Sequence, residues 1–482
     1  MVFITLPFIA FFAVVFFAHY AIPSRYRWWL LLAASWFFYA YMTPYYLIFL
    51  GVATVVTYFV AVGIDNNLRR QKEWIATVGK SVDRETKKVY KAMMERNRKH
   101  LVALTVVVLI GMLVVFKYLD FLFANVSWLG GAMGFDFTLS PLNLILPIGL
   151  SFYVFQSLGY CIDVSREMVP AERNFFRHAL FVSYFPQVLQ GPIGDYGRLA
   201  PQLFGGKGFV YQEAVFGLQR IVWGFFKKLV IANVIAQRID PTWHNAAQHH
   251  GILVWMTILF LYSIQLYADF SGYMDIMCGF SEMLGIRLTE NFERPYFAKS
   301  IAEYWRRWHI TLGQWFRDYL YYPLTLGPAI RIRKALSKKF SRKTAIFFQN
   351  LFTMFVIWGC TGLWHGASWS YVLWGLYWCF FMILEQSFLQ KKLEKLPGFV
   401  SHVYLILLFM FSRAIFRFGN LEYSVAVLKS MFGLNGNAFL DFSTKTLFTN
   451  NVFLILFCVL GSTPVIKNLA LKIKGVFCRT AG

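Results

Sequence analysis

The sequence is poor in charge, and poorer in acid than in base. Only 15% of its 482 residues are charged, where a soluble domain carries about 25%. Asp and Glu number 24 against 47 Lys and Arg, for a formal net charge of +23. No hydrophilic stretch is long enough to make a soluble domain, and the longest polar run is 65–100. Of the six cysteines none forms a CxxC pair and most lie in apolar segments, so no disulfide framework or zinc site is implied. A Gly-x-Ser-x-Gly elbow, a P-loop, a dinucleotide fingerprint and a His-Glu-x-x-His pair are all missing, and nothing points to a bound metal or redox cofactor. There is no basic module interleaved with aromatics, which argues against a nucleic-acid partner.

What the sequence does have is apolar length. It is 58% hydrophobic and 20% aromatic, the balance of an all-α integral membrane protein lodged in lipid. A span needs about 20 mostly apolar residues. The segments 2–21, 28–42, 45–64, 101–124, 143–163, 215–237, 252–275, 345–362, 369–389, 401–418 and 450–466 qualify, about eleven transmembrane helices. The first has no basic n-region and no small-residue cleavage site, so it is expected to be a retained span. Shorter apolar pieces near 176–192 and 276–323 are interrupted by Pro, Gly and charge. They are expected to be re-entrant or interfacial helices, because irregular backbone at membrane depth must be buried in protein or face water. No internal repeat divides the chain. It is expected to be one polytopic membrane domain, with a core over 1–390 and further helices over 391–482.

The cations predict an orientation. Residues 65–100 hold eleven Lys/Arg against five Asp/Glu, the mark of a cytoplasmic segment. Counting spans from there places the N-terminus outside, "SRYR" (24–27) inside, the Lys/Arg-free 125–141 outside, and Arg166, Arg173 and Arg177 inside. The run 331–343, with seven cations and no acid, and the C-terminal tail with Lys467, Lys472, Lys474 and Arg479 also fall on the cytoplasmic side.

Three polar constellations sit among the apolar segments. His365 lies in "TGLWHGASWS" (361–370), near the middle of the charge-free tract 345–384. A simple hairpin places it near the outer turn; a break at Gly362 and Gly366 would place it at mid-depth. An intramembrane ionisable group is by default a functional candidate, and the other reading is a histidine bonded between helices or in an aromatic belt. In 290–324, Trp305, Trp308, Leu312, Trp315 and Tyr319 recur at spacings of three and four, with Arg307, Gln314 and Asp318 opposite. That pattern predicts one interfacial amphipathic helix. His309 beside the stripe either helps anchor it or points into a chamber. In "QLYADFSGYMDIMCGF" (265–280), Asp269 and Asp275 flank Ser271–Gly272, a predicted break. They read as a proton relay or as ion-pair partners of Arg306 and Arg307. A membrane histidine without a nucleophile motif suits general-base activation of a hydroxyl. Acyl transfer from a thioester then needs only a base, positioning, and donors for the developing oxyanion.

Five blocks, "LPIGLSFYVFQSLGYCIDV" (146–164), "SYFPQVLQGPI" (183–193), "QLYADFSGYMDI" (265–276), "RRWHITLGQWFRDYLYYPL" (306–324) and "TGLWHGASWSYVLWG" (361–375), together resemble the bacterial branch of the membrane-bound O-acyltransferase family. That branch serves alginate O-acetylation and teichoic acid D-alanylation. The resemblance runs from about residue 1 to 390 and weakens in the last 90. It implies a ring of tilted helices around a thin central partition. The family's invariant histidine falls on His365 and its second histidine on His309. Trp364, Trp308, Arg307, Asp318, Tyr319 and Gln190 would shape the chamber, with Asp269 supporting it. The resemblance also implies a donor arriving from the cytoplasm as acetyl-CoA or an acyl carrier protein thioester. The acceptor would be reached from the outer side of a bacterial cell membrane, with a separate extracytoplasmic partner of the serine esterase type. One departure stands out: after "YLYYPL" the alginate branch usually has a short Gly-Gly and basic turn, whereas this chain reads "TLGPAIRIRKALSKKFSRK". Those cations could dock an anionic donor or anchor the loop. The readings are therefore export of an acyl group, most simply acetyl, toward an envelope polysaccharide; D-alanyl transfer from a carrier protein; or a transporter of a polymer intermediate, which would favour two related halves.

Overall fold

Apolar helices dominate because lipid leaves backbone polar groups no partner but one another. The computed structural model describes residues 3–461 apart from 43, 136, 245–250, 252–254, 256–259, 437 and 439–441. Among them the elements are helices, and the β-type pairing is one isolated bridge, Phe292 to Trp308. Five helices are long and apolar enough to cross a membrane: Pro44–Lys80, Arg84–Ala132, Arg342–His365, Trp369–Leu393 and Gly398–Phe418. Other helices stand at further expected spans: Leu6–Ala21, Arg27–Met42, Leu150–Ser165, Tyr211–Phe225, Tyr262–Met283 and Phe442–Gly461. Part of the expected span 252–275, and the tail cations Lys467, Lys472, Lys474 and Arg479, lie outside the described residues.

The polar run 65–100 is a helical hairpin. Leu47–Thr77 and Arg84–Leu113 carry their helices through it, and Trp74 stacks on Tyr90 at 4.0 Å. Asp83 caps the returning helix by accepting from the backbone of Glu85 and Thr86, as the preference for Asp at a helix start predicts. The expected span 143–163 becomes helical only at Leu150. Pro141 and Pro147 disfavour helix in the residues before them, and Gly149 turns with φ +79°.

The chain divides into two compact units, each discontinuous in sequence. The first holds Met1–Gln219, Met277–Glu290 and Arg317–Tyr319. Its core is aromatic, with Phe3, Phe8, Phe38, Phe185 and Phe280 in mutual contact. The segment 176–192 forms the short buried helices Phe175–Ser183 and Phe185–Val188. Gln156 ties its neighbours together: its amide donates to Phe181 O, and its Oε1 accepts from Gln187 and from Gly194 N.

The second unit holds Arg220–Ile276, Asn291–Phe316 and Leu320–Gly482. Its centre is a cage of indoles in which Trp305 contacts Trp358, Trp374 and Trp378 at 5.0, 5.7 and 5.3 Å. The basic run after "YLYYPL" folds into the helix Pro328–Leu336, packed against Arg342–His365. Ser271–Gly272 is no break: Tyr262–Met283 runs straight through. A Cβ on Gly272 would come within 2.9 Å of Gly224 O, and one on Gly224 within 2.7 Å of Gly272 O. The glycine serves close helix approach, the usual role of small residues between membrane helices.

Candidate acyl-transfer site

The site is built on an interruption. The stripe Trp305–Tyr319 is not one helix: Ile301–Arg307 ends, Trp308 is extended, and a new helix begins at Ile310. His309 takes the left-handed conformation, φ +47°, which a residue with a Cβ adopts only under constraint. The constraint is visible. Residues 291–293 pair with 307–310, with Glu293 N donating to Arg307 O at 2.9 Å and Ile310 N to Asn291 O at 3.0 Å. The buried Asn291 side chain then caps the second helix, its Oδ1 accepting from Thr311 N at 3.0 Å and from Thr311 Oγ1 at 2.8 Å. The first helix is anchored at its start. Ser300 caps Glu303 N, and the buried Glu385 carboxylate accepts from Ile301 N with both oxygens at 3.1 Å. Periodicity could not reveal this, because residues on both sides keep helical spacing while distant groups hold the break.

The break turns His309 inward. It is 4% exposed, and neither ring nitrogen has a hydrogen-bond partner among the described residues. Buried polar atoms are nearly always satisfied, so an imidazole with both nitrogens unbonded is a candidate to contact a ligand or water. The ring lies edge-to-face against Phe270 at 5.0 Å and Trp364 at 5.6 Å.

His365 arrives differently. It is the last residue of Arg342–His365, where the chain turns before Trp369–Leu384. Its ring meets Trp364 at 4.9 Å, Trp374 at 4.9 Å and Phe416 at 5.0 Å, all edge-to-face. Trp364 is thus the shared neighbour of both histidines. Gly362 does not break the helix. It lies within it, and a Cβ there would meet Tyr371 O at 2.3 Å. Gly375 faces Trp358 O in the same way, at 2.2 Å. The glycines let the two arms of the hairpin touch, and Gly366, beyond the helix end, leaves room for the Tyr371 ring.

The other expected site residues divide. Trp308 is buried against Phe292 and Tyr304. Arg307 pairs with Glu303 at 2.6 Å and leans toward Arg294 O. Asp269 and Asp275 are ion-paired, but with Lys228 and with Arg220 and Lys227, not with Arg306 or Arg307. Lys227 also donates to Ser271 Oγ at 3.0 Å. These lysines sit inside an apolar stretch, which was the visible sign that the carboxylates had local partners. Gln190, Asp318 and Tyr319 belong to the first unit. There Tyr319 donates to Asp163 at 2.7 Å, Asp318 pairs with Arg317 and its carbonyl accepts from Arg166, and Gln190 is exposed in a turn. Arg413, Asn291 and Glu385 were not singled out from sequence. Among the described residues no three His, Cys, Asp or Glu side chains gather as metal ligands.

Two imidazoles against one indole are side chains of the type that general-base activation of a hydroxyl requires. Known proteins bear on this geometry. The family model for the membrane-bound O-acyltransferase family matches residues 163–392, which include both histidines. The chain is 33% identical to the probable alginate O-acetylase of Azotobacter vinelandii over 86% of this chain and 74% of that one. It is 31% identical to the peptidoglycan O-acetyltransferase of Helicobacter pylori over 93% and 82%. It is 29% identical to the teichoic acid D-alanyltransferase of Bacillus subtilis over 54% and 64%. With relatives of that identity and coverage, this multi-pass membrane chain belongs to the membrane-bound O-acyltransferase family and is an O-acyltransferase.

Proposed function

We propose that this enzyme sits in the bacterial cytoplasmic membrane and moves an acyl group from a cytoplasmic thioester toward O-acylation of a cell-envelope polysaccharide. The observation that carries the reading is the pair His309 and His365 against one indole, Trp364. His365 removes or holds the proton of the attacking hydroxyl, and His309 orients the acyl carbonyl. Acetyl is favoured over D-alanyl, because alginate and peptidoglycan O-acetylating relatives align over far more of the chain than the D-alanyltransferase does. The donor is acetyl-CoA, with an acyl carrier protein thioester as the other form. The absence of a serine nucleophile motif supports a separate extracytoplasmic acyltransferase of the serine esterase type as partner. The cation pattern supports an N-terminus outside and the hairpin tip 78–83 in the cytoplasm, beside an anionic leaflet. Single cysteines placed in that tip are expected to resist a membrane-impermeant label in whole cells.

The deciding experiment compares ester-linked acetyl and D-alanyl groups on envelope polymers with wild type, without the protein, and with His365→Ala at equal expression. Acetyl is expected to fall in both altered strains while D-alanyl stays. Loss of D-alanyl alone would choose the other donor, and full acetylation by His365→Ala would refute the assignment.

A further inference from the structure

Arg413 lies deep in the apolar helix Gly398–Phe418 and is 4% exposed. Among the described residues it has no carboxylate partner. The groups that interact with its charge are the phenols Tyr304, Tyr296 and Tyr262. Its hydrogen bond from Nη2 to Tyr304 Oη is long at 3.4 Å, Tyr296 is its other phenol partner, and its Nε has no partner among the described residues. The guanidinium carbon stands 5.1 Å from the centre of the Trp308 ring and 5.7 Å from that of Phe409. Cation–π contact recovers only part of what it costs to remove a cation from water. An ionisable group at membrane depth is costly and is by default a functional candidate.

Its neighbours say which anion. Arg413 stands on Trp308, the residue before His309. Phe416, three residues further on the same helix, stands on His365 at 5.0 Å. Arg413 and Phe416 thus lie one turn apart on this helix, the first over the indole that precedes His309 in the chain and the second against the His365 ring.

We propose that Arg413 binds the oxyanion of the acyl-transfer step; the inference rests on the acyl-transfer reading of the site. The acceptor oxygen attacks the thioester carbonyl carbon as its proton passes to an imidazole. The carbonyl π electrons move to oxygen, and that oxygen accepts hydrogen bonds from the guanidinium. When the carbonyl re-forms, the carbon–sulfur bond breaks, the thiolate leaves with the electron pair, and it takes up the proton. Arginine suits the task because its planar donor fork stays charged and fixed while the anion is transient.

The test uses the full chain in lipid nanodiscs. Arg413→Gln is expected to lower kcat for thiol release from acetyl-CoA about 100-fold or more, the usual loss for an oxyanion donor, with KM within threefold. Its melting temperature should equal or exceed that of wild type, since an uncompensated buried charge is gone. Arg413→Ala should regain activity with added guanidinium and not with ammonium. Methylphosphonate, a small tetrahedral anion, should raise the melting temperature of wild type and of His365→Ala but not of Arg413→Gln. A destabilised Arg413→Gln whose activity falls only with its folded fraction would make Arg413 structural and overturn the proposal. A raised KM with unchanged kcat would make it a ground-state anion site and do the same. If wild type releases no thiol from acetyl-CoA, the donor reading fails by itself. The methylphosphonate shift still decides Arg413, and its absence in wild type overturns the assignment.

Discussion

His309 and His365 meet the same indole, yet the chain brings them there by opposite means. His309 stands in a break that costs backbone strain, with φ +47°, and distant residues hold it: Asn291 through Thr311, and Glu385 through Ile301. His365 needs no strain. It completes a 24-residue helix, and its place follows from two glycines that let the hairpin arms close on each other. One histidine is positioned by hydrogen bonds to remote backbone, the other by steric fit along its own hairpin. Strained conformations persist where surrounding structure over-determines them, typically at functional sites, so the costlier arrangement marks the more tightly specified group.

The largest test of this contrast replaces each histidine with glycine. Both variants are expected to lose acyl transfer by about 100-fold or more, read as acetyl transfer in membranes. Their melting temperatures should diverge. His309→Gly relieves a conformation that costs of order 1 kcal/mol or more, so its stability should hold or rise. His365→Gly weakens a helix by up to about 1 kcal/mol. Equal destabilisation of the two would erase the distinction.

Asn291→Ala comes next. It strips the acceptor from two buried Thr311 donors, a loss of about 1–3 kcal/mol. Activity should drop roughly tenfold to hundredfold, because misplacing a catalytic group is expensive. A variant that is less stable but fully active per folded molecule would show that the break does not depend on this cap. Gly362→Ala attacks the other arrangement. Its Cβ would press on Tyr371 O at 2.3 Å, and overpacking of this kind costs about 1–3 kcal/mol, measured as thermal inactivation in detergent. Gly366→Ala should do least, under about 1 kcal/mol. Its φ of −178° suits any residue, and the atoms in the way belong to the Tyr371 ring, which can turn aside.

Class, lipid environment and the two histidines were legible in sequence, because each rests on composition or on a short contiguous block. Long uncharged runs must be helices in lipid whatever they pack against, and a histidine in such a run stands out without any knowledge of its neighbours. The similarity blocks carried His309 and His365 onto their positions but said nothing of how they meet. Three local expectations failed, and the ion-pair reading of Asp269 and Asp275 held with other partners than expected, for one shared reason. The Trp stripe, Ser271–Gly272, Gly362 and the Asp269–Asp275 pair were read from what stands next to them in the chain. Their roles are set by Asn291, Gly224, Tyr371 and Lys227 with Lys228, which lie some 10 to 50 residues away.

The sequence by itself determined that this protein is a helical membrane enzyme of a known family, since hydrophobic length and residue type do not depend on distant partners. Only the tertiary structure decided where its helices stop and where its charges belong. A helix end, a left-handed histidine and a buried guanidinium are each settled by hydrogen bonds and ring contacts between segments. Local periodicity cannot encode them, and Arg413, beyond the residues that the family model matches, is the clearest instance.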